Sequence, residues 1–205
     1  MQHQPSSAHP PQEMSSTRLE GFSDGVLAVI ITIMVLGLRP PSGTGLAALK
    51  PLIPGLLIYV LSFTFIGIYW NNHHHLLRAT RRISGSVMWA NLHLLFWLSL
   101  TPVVTEWVGE QGRSTPPAVA YGAIGFLAGV AYYILTLTIR AANKDTSINE
   151  LLGRDVKGKV SVALYALGIA LAFIEPLLAY GVYALVAIMW FIPDRRLANA
   201  RDGQE

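Results

Sequence analysis

The stretch from Arg18 to Leu38, RLEGFSDGVLAVIITIMVLGL, constrains this chain more than any other. It opens on charges, passes through a compact Phe22-Ser23-Asp24-Gly25 cluster, and runs apolar from Val26 to Leu38, with Thr32 its only strongly polar side chain. A bilayer core is about 30 Å thick, so a helix needs roughly 20 residues to cross it. The stretch is long enough if the Phe-Ser-Asp cluster sits just inside the membrane boundary. An unpaired charge within a span costs at least about 2.5–3.5 kcal/mol. Arg18 and Asp24 are six positions apart and do not face each other on one helix, so each needs a partner from another helix or water.

The rest of the composition agrees with a membrane chain. Hydrophobic residues make up 52% and charged residues 13%, against about 25% charged in soluble domains. Cysteine is absent, which removes disulfide and thiol chemistry. Residues 1–17, rich in Pro, Gln, Ser and His, read as a disordered tail. They lack the early basic region of a signal peptide.

Further apolar runs follow the first. A turn-rich stop, Arg39 to Gly45, separates it from a run over Leu52–Trp70, which ends in Asn71-Asn72-His73-His74-His75 and the basic patch Arg78, Arg81 and Arg82. A third run covers Val87–Val108, with Asn91 and His93 early and Pro102 late, and a fourth covers Pro117–Ile139. Arg140–Lys159 is polar, with a short interfacial helix expected around Ile148–Leu152. The last apolar region, Val160–Ile192, would reach about 50 Å as one helix, and Glu175-Pro176 near its middle makes a plausible break. It reads as two short spans, 159–174 and 176–192, with one long tilted helix as the rival.

The expected fold is therefore an all-α membrane protein with six transmembrane helices in one domain over residues 18–193, followed by a cytoplasmic tail over 194–205. Lys and Arg set its orientation. With six spans and the N-terminus inside, only Arg39, Lys50 and Arg113 of the 15 fall outside. Both termini are then cytoplasmic.

On the first span, at about 100° per residue, Phe22, Gly25, Val29, Thr32, Ile33 and Leu36 share one stripe, and Asp24 points well off it. Copies of that stripe around an axis would line a pore, with rings of Val29, Ile33 and Leu36 as an apolar constriction that gates by excluding water. Equally, the stripe packs on another helix or faces lipid, as most Val-Ile-Leu stripes do.

Arg18-x-x-x-Phe22-Ser23-Asp24 resembles the signature that opens the transmembrane protein 175 family, potassium-permeable channels of endolysosomes and prokaryotes. Trp70-x-x-His73-His74 is similar to the end of that family's second span. Asn91-x-x-x-Leu95 and Ser99-x-x-Pro102-x-x-Thr105 are similar to its third, although Val103 stands where an aromatic is usual. The resemblance implies a homotetramer of the single-repeat prokaryotic kind, with four first helices around a central pore. It places Val29 at the first constriction position, with Thr32, Ile33 and Leu36 further along. It implies a polar network holding the pore helix, with Arg18, Phe22, Ser23, Asp24, Trp70, His73, His74 and Asn91 as candidates. It further implies a prokaryotic plasma-membrane protein that passes potassium and other monovalent cations, with no cofactor, resident metal, enzyme chemistry or nucleic-acid partner.

Other readings stay open. Asp24 and the second-span histidines suit a secondary transporter or proton pathway. The His73–His75 run suits metal binding only if carboxylates come near, because neighbouring histidines on a helix point about 100° apart; otherwise it sits in the headgroup zone. The basic patch reads as topology signal and lipid contact. Glu106 and Glu175 either concentrate cations near the outer face or simply mark an interface.

Overall fold

A computed structural model describes residues 16–43, 45–144 and 156–191. These residues are helical throughout, without strands, and form seven α-helices and one 3₁₀ segment. Helix α1, Ser16–Leu36, already includes the last two residues of the expected tail. Its apolar run carries no proline. It stops where Gly37 tightens the last turn, donating its backbone N–H to the Met34 carbonyl at 3.2 Å, ahead of Pro40 and Pro41, which cannot continue a helix.

A 3₁₀ segment, Leu46–Leu52, leads into α2, Ile53–Arg78, which opens with proline in its first turn. Helix α2 runs eight residues past the expected end at Trp70 and carries the histidines inside it, with His75 and Arg78 in the last turn, where positive charge suits the helix dipole.

The third run is broken. Ser84 caps α3, Gly85–Ser99, through its hydroxyl oxygen, and α4, Thr101–Gln111, follows after Leu100. Pro102 lacks the N–H that would continue the ladder, and the two helices together make one 27-residue apolar segment, Gly85–Gln111. Helix α5, Thr115–Ala142, opens on Pro116 and Pro117.

The final apolar region divides as expected at Glu175-Pro176, into α6, Val156–Ala172, and α7, Pro176–Phe191. The Glu175 carboxylate accepts the Leu177 N–H at 3.3 Å and so satisfies one of the open donors of α7. The single long helix is not what forms. Four segments, Ser16–Leu36, Leu46–Arg78, Gly85–Gln111 and Thr115–Ala142, are long and apolar enough to cross a membrane. Helices α6 and α7, with 17 and 16 residues, are shorter. The expected interfacial helix at 148–152, most of the N-terminal tail and the C-terminal tail lie outside the described residues.

Helix α1 packs on α2, α3 and α4, while α5 packs on α3, α4 and α6, and α6 on α7. The α5–α6–α7 unit is built on glycines. A Cβ at Gly125 would run into the ring of Tyr165, and one at Gly122 into Tyr183. Small residues of this kind let membrane helices approach closely where no hydrophobic effect draws them together. The Tyr183 hydroxyl, buried in that seam, donates to the Ala118 carbonyl at 3.1 Å. Asn143 ties the α2–α3 connection to the end of α5, accepting from the backbone N–H groups of Arg81 and Arg82 at 3.2 and 2.9 Å.

Candidate functional site: the two faces of the first helix

Helix α1 is buried along one side and bare along the other. Leu19, Ser23, Leu27, Ile30 and Met34, spaced three or four apart, face the bundle. The stripe singled out in the sequence lies opposite. Val29 is 54% exposed, Ile33 50% and Leu36 80%, and Phe22, Gly25 and Thr32 are exposed as well. Among the described residues the stripe therefore packs on no other helix of its own chain, which leaves lipid or another subunit. The Thr32 hydroxyl donates to the Val29 carbonyl at 2.9 Å, so it is satisfied locally with its lone pairs still free to accept.

Two polar groups fix the inner side of α1. The first is fully buried. Ser23 donates its hydroxyl to the Leu19 carbonyl at 2.8 Å and accepts from Asn91 Nδ2 at 2.9 Å. Asn91 Oδ1 lies 2.6 Å from His73 Nε2. With the amide nitrogen given to Ser23, the amide oxygen must accept, so His73 carries its proton on Nε2. Its Nδ1 has no hydrogen-bond partner among the described residues. One residue from each of α1, α2 and α3 thus meets in a single chain. Such groups must satisfy one another where lipid offers no partners.

The second group is nearer the surface. Trp70 donates its indole N–H to the Asp24 carboxylate at 3.0 Å and stacks on His74, with ring centroids 5.9 Å apart. His74 Nδ1 stands 2.6 Å from Glu20 Oε1, off hydrogen-bond alignment, so the contact is coulombic and acts when His74 is protonated. Glu20, Asp24 and His74 offer metal-type ligand atoms within 4.8 Å of one another. The carboxylates that the histidine run needed for metal binding do come near, from α1. Asp24 also accepts the Trp70 indole N–H.

Of the expected network, Ser23, Asp24, Trp70, His73, His74 and Asn91 are brought together in these two groups. Arg18 is exposed and makes no hydrogen bond or ion pair among the described residues, and Phe22 lies on the outer stripe. Glu20 was missed, although its spacing of four from Asp24 puts both on one helical side. A third buried group was only half visible. Thr105, part of the third-span pattern, donates to Ser62 at 2.7 Å, and Ser62 shares a hydrogen bond with the Tyr121 hydroxyl at 3.0 Å. His93 accepts from Trp97 on its own helix. Glu106 and Glu110 both lie against Arg39, at 3.8 and 2.7 Å, so this pair of carboxylates is partly neutralised.

The described residues thus form an all-helical bundle with membrane-length apolar spans, whose first helix is pinned along one side by interhelical polar bonds and bare along the other. Residues 18–102 match the family model described as endosomal/lysosomal potassium channel TMEM175. A potassium channel of Chryseobacterium sp. (strain P1-3) is 48% identical over 188 residues, covering 91% of this chain and 98% of that protein. The crystal structure of a lysosomal potassium-selective channel TMEM175 homolog from Chamaesiphon minutus superposes with a TM-score of 0.76 at 27% identity, covering 86% of this chain and 96% of that one. The human endosomal/lysosomal proton channel TMEM175 is 28% identical over 131 residues, covering 54% of this chain and 26% of its own length. The chain belongs to the TMEM175 family.

Proposed function

We propose that four copies assemble around an axis lined by α1, and that potassium and other monovalent cations pass down their gradient between them. The observation that carries this reading is the division of α1. Its inner side is fixed by buried bonds, and its outer side presents Val29, Thr32, Ile33 and Leu36 to whatever lies beyond the chain. One helix cannot enclose a path, so conduction requires copies of it. Rings of Val29, Ile33 and Leu36 form the apolar constriction, and the Thr32 oxygen contacts a partly dehydrated cation. The sequence holds no TVGYG-type filter, so selectivity comes from side-chain rings and apolar narrowing and is modest. The polar groups on the inner side hold the pore helix in place without touching the ion. Residues 18–193 act as one channel domain in a prokaryotic plasma membrane, with both termini cytoplasmic and α6 and α7 as short spans.

Relatives named proton channels, together with the Glu20–His74 contact beside Asp24, support proton passage as a second reading. The two readings separate in liposomes. Purified protein should have the mass of four 22.4 kDa chains once detergent is subtracted, and should release potassium in proportion to driving force, with a proton-sensitive dye reporting any parallel flux. A single-chain mass, or potassium flux no greater than in empty liposomes, contradicts the channel.

A further inference from the structure

Helix α2 meets the α5–α6–α7 unit through long aromatic side chains. Phe65 and Tyr165 meet edge-on with ring centroids 6.3 Å apart, and Tyr69 and Tyr132 at 6.0 Å. Rings that reach across hold the helices apart, and a partly open cavity of about 300 Å³ lies between them. That volume is at the lower end of ligand pockets, roughly 300–1,000 Å³. Phe65, Tyr69, Val162, Tyr165 and Trp190 form much of its wall.

Several polar tips in the wall are already engaged. The Tyr132 hydroxyl donates to the Asn72 carbonyl at 3.3 Å, Tyr121 is bonded to Ser62, and the Trp190 indole N–H donates to Ser161 Oγ at 2.9 Å. Most of the surface that remains is apolar. Charge falls at the rim. Among the described lining residues Lys159 is the one charged side chain; it is exposed and makes no hydrogen bond or ion pair among the described residues. The Lys157 ammonium stands close by, 5.7 Å over the Trp190 ring. A mostly apolar aromatic slot with Lys159 in its lining, Lys157 close by and no carboxylate among its described lining residues suits an amphiphile with an anionic head.

The geometry points to a membrane-lipid site: one acyl chain of an anionic phospholipid enters between α2 and the α5–α6–α7 unit, and its phosphate lies against Lys159. No residue of α1 lines the site, which does not depend on what the α1 stripe lines.

The test uses purified protein reconstituted in vesicles of equal phosphatidylglycerol and phosphatidylcholine, with a photoactivatable group on the acyl chain of one lipid at a time. Phosphatidylglycerol should label peptides carrying Phe65–Asn72 and Val162–Tyr165 well above phosphatidylcholine. Lys159→Gln should cut that preference about fivefold, the worth of one lysine near an anionic headgroup. Ala187→Phe, which fills the cavity, should abolish labelling of these peptides by both lipids. Equal labelling by the two lipids, labels spread over the outer apolar faces, or an unchanged preference in Lys159→Gln overturns the site. Should Ala187→Phe fail to fold, the exposed Lys159 variant and the wild-type map still decide.

Discussion

The indole of Trp70 donates to the carboxylate of Asp24 across 3.0 Å, joining α2 to α1 beside the outer stripe. Together with the buried Leu19, Leu27, Ile30 and Met34, this bond holds α1 in its rotation about its own axis. Because Asp24 points off the stripe, holding it toward α2 turns Val29, Ile33 and Leu36 away from the bundle.

Trp70→Phe keeps the ring and removes the donor. A net hydrogen bond is worth about 0.5–1.5 kcal/mol, and Trp70 is half-exposed, so the lower half of that range applies. Thermal unfolding in detergent should fall by a few degrees, and liposome potassium flux should change with it, as Asp24→Asn should also show. Wild-type melting and wild-type flux in both variants would remove Trp70 and Asp24 from the support of α1.

Asn91 and Ser23 should differ in a definite order. Asn91→Ala strands His73 Nε2 and the Ser23 acceptor and opens a cavity at a fully buried position. An unsatisfied buried group costs about 1–3 kcal/mol, so the loss should be several kcal/mol. Ser23→Ala strands one Asn91 N–H, while the Leu19 carbonyl keeps its helical bond, so the loss should be smaller. Denaturation of the two variants in one detergent checks the order; equal or reversed losses would contradict the Ser23–Asn91–His73 chain.

Glycine substitutions should split in sign. At Gly125 an added methyl meets Tyr165, at the core of the α5–α6–α7 seam, whereas at Gly67 nothing lies within 4 Å. Gly125→Ala should destabilise by about 1–3 kcal/mol or more, as overpacking does. Gly67→Ala should stabilise by up to about 1 kcal/mol through helix propensity. Melting curves that move both variants the same way would contradict the packing described.

Much of this was legible beforehand. Apolar run length gave the spans, and Glu175-Pro176 gave the break between α6 and α7, because proline and charge act locally. The outer stripe followed from helical spacing within α1. Partners across helices were less accessible. The family resemblance put Ser23, Asp24, Trp70, His73, His74 and Asn91 in one network without pairing them, and nothing local showed Glu20 reaching His74, or Ser62 and Tyr121 completing the relay begun by Thr105. Arg18 matched the motif but finds no ion pair or hydrogen bond among the described residues, since its position at the exposed start of α1 points away from the bundle. The interruption at Leu100 was signalled by Pro102, whose effect on a span depends on whether the neighbours allow the helix to stay whole. The second helix outran its apolar segment because helix propensity and packing, not hydropathy, decide where a helix stops.

The most direct measurement exploits the absence of cysteine from this sequence. Single cysteines are placed at Val29, Ile33 and Leu36 on α1, and at Val60 on the exposed face of α2 as a control, and each variant is reconstituted in potassium-loaded liposomes. A water-soluble thiol reagent should block flux at Leu36→Cys and Ile33→Cys, with Val29→Cys responding once the constriction is wet, while Val60→Cys conducts unchanged. Flux that survives modification at all three α1 positions would place the conduction path elsewhere and contradict the account.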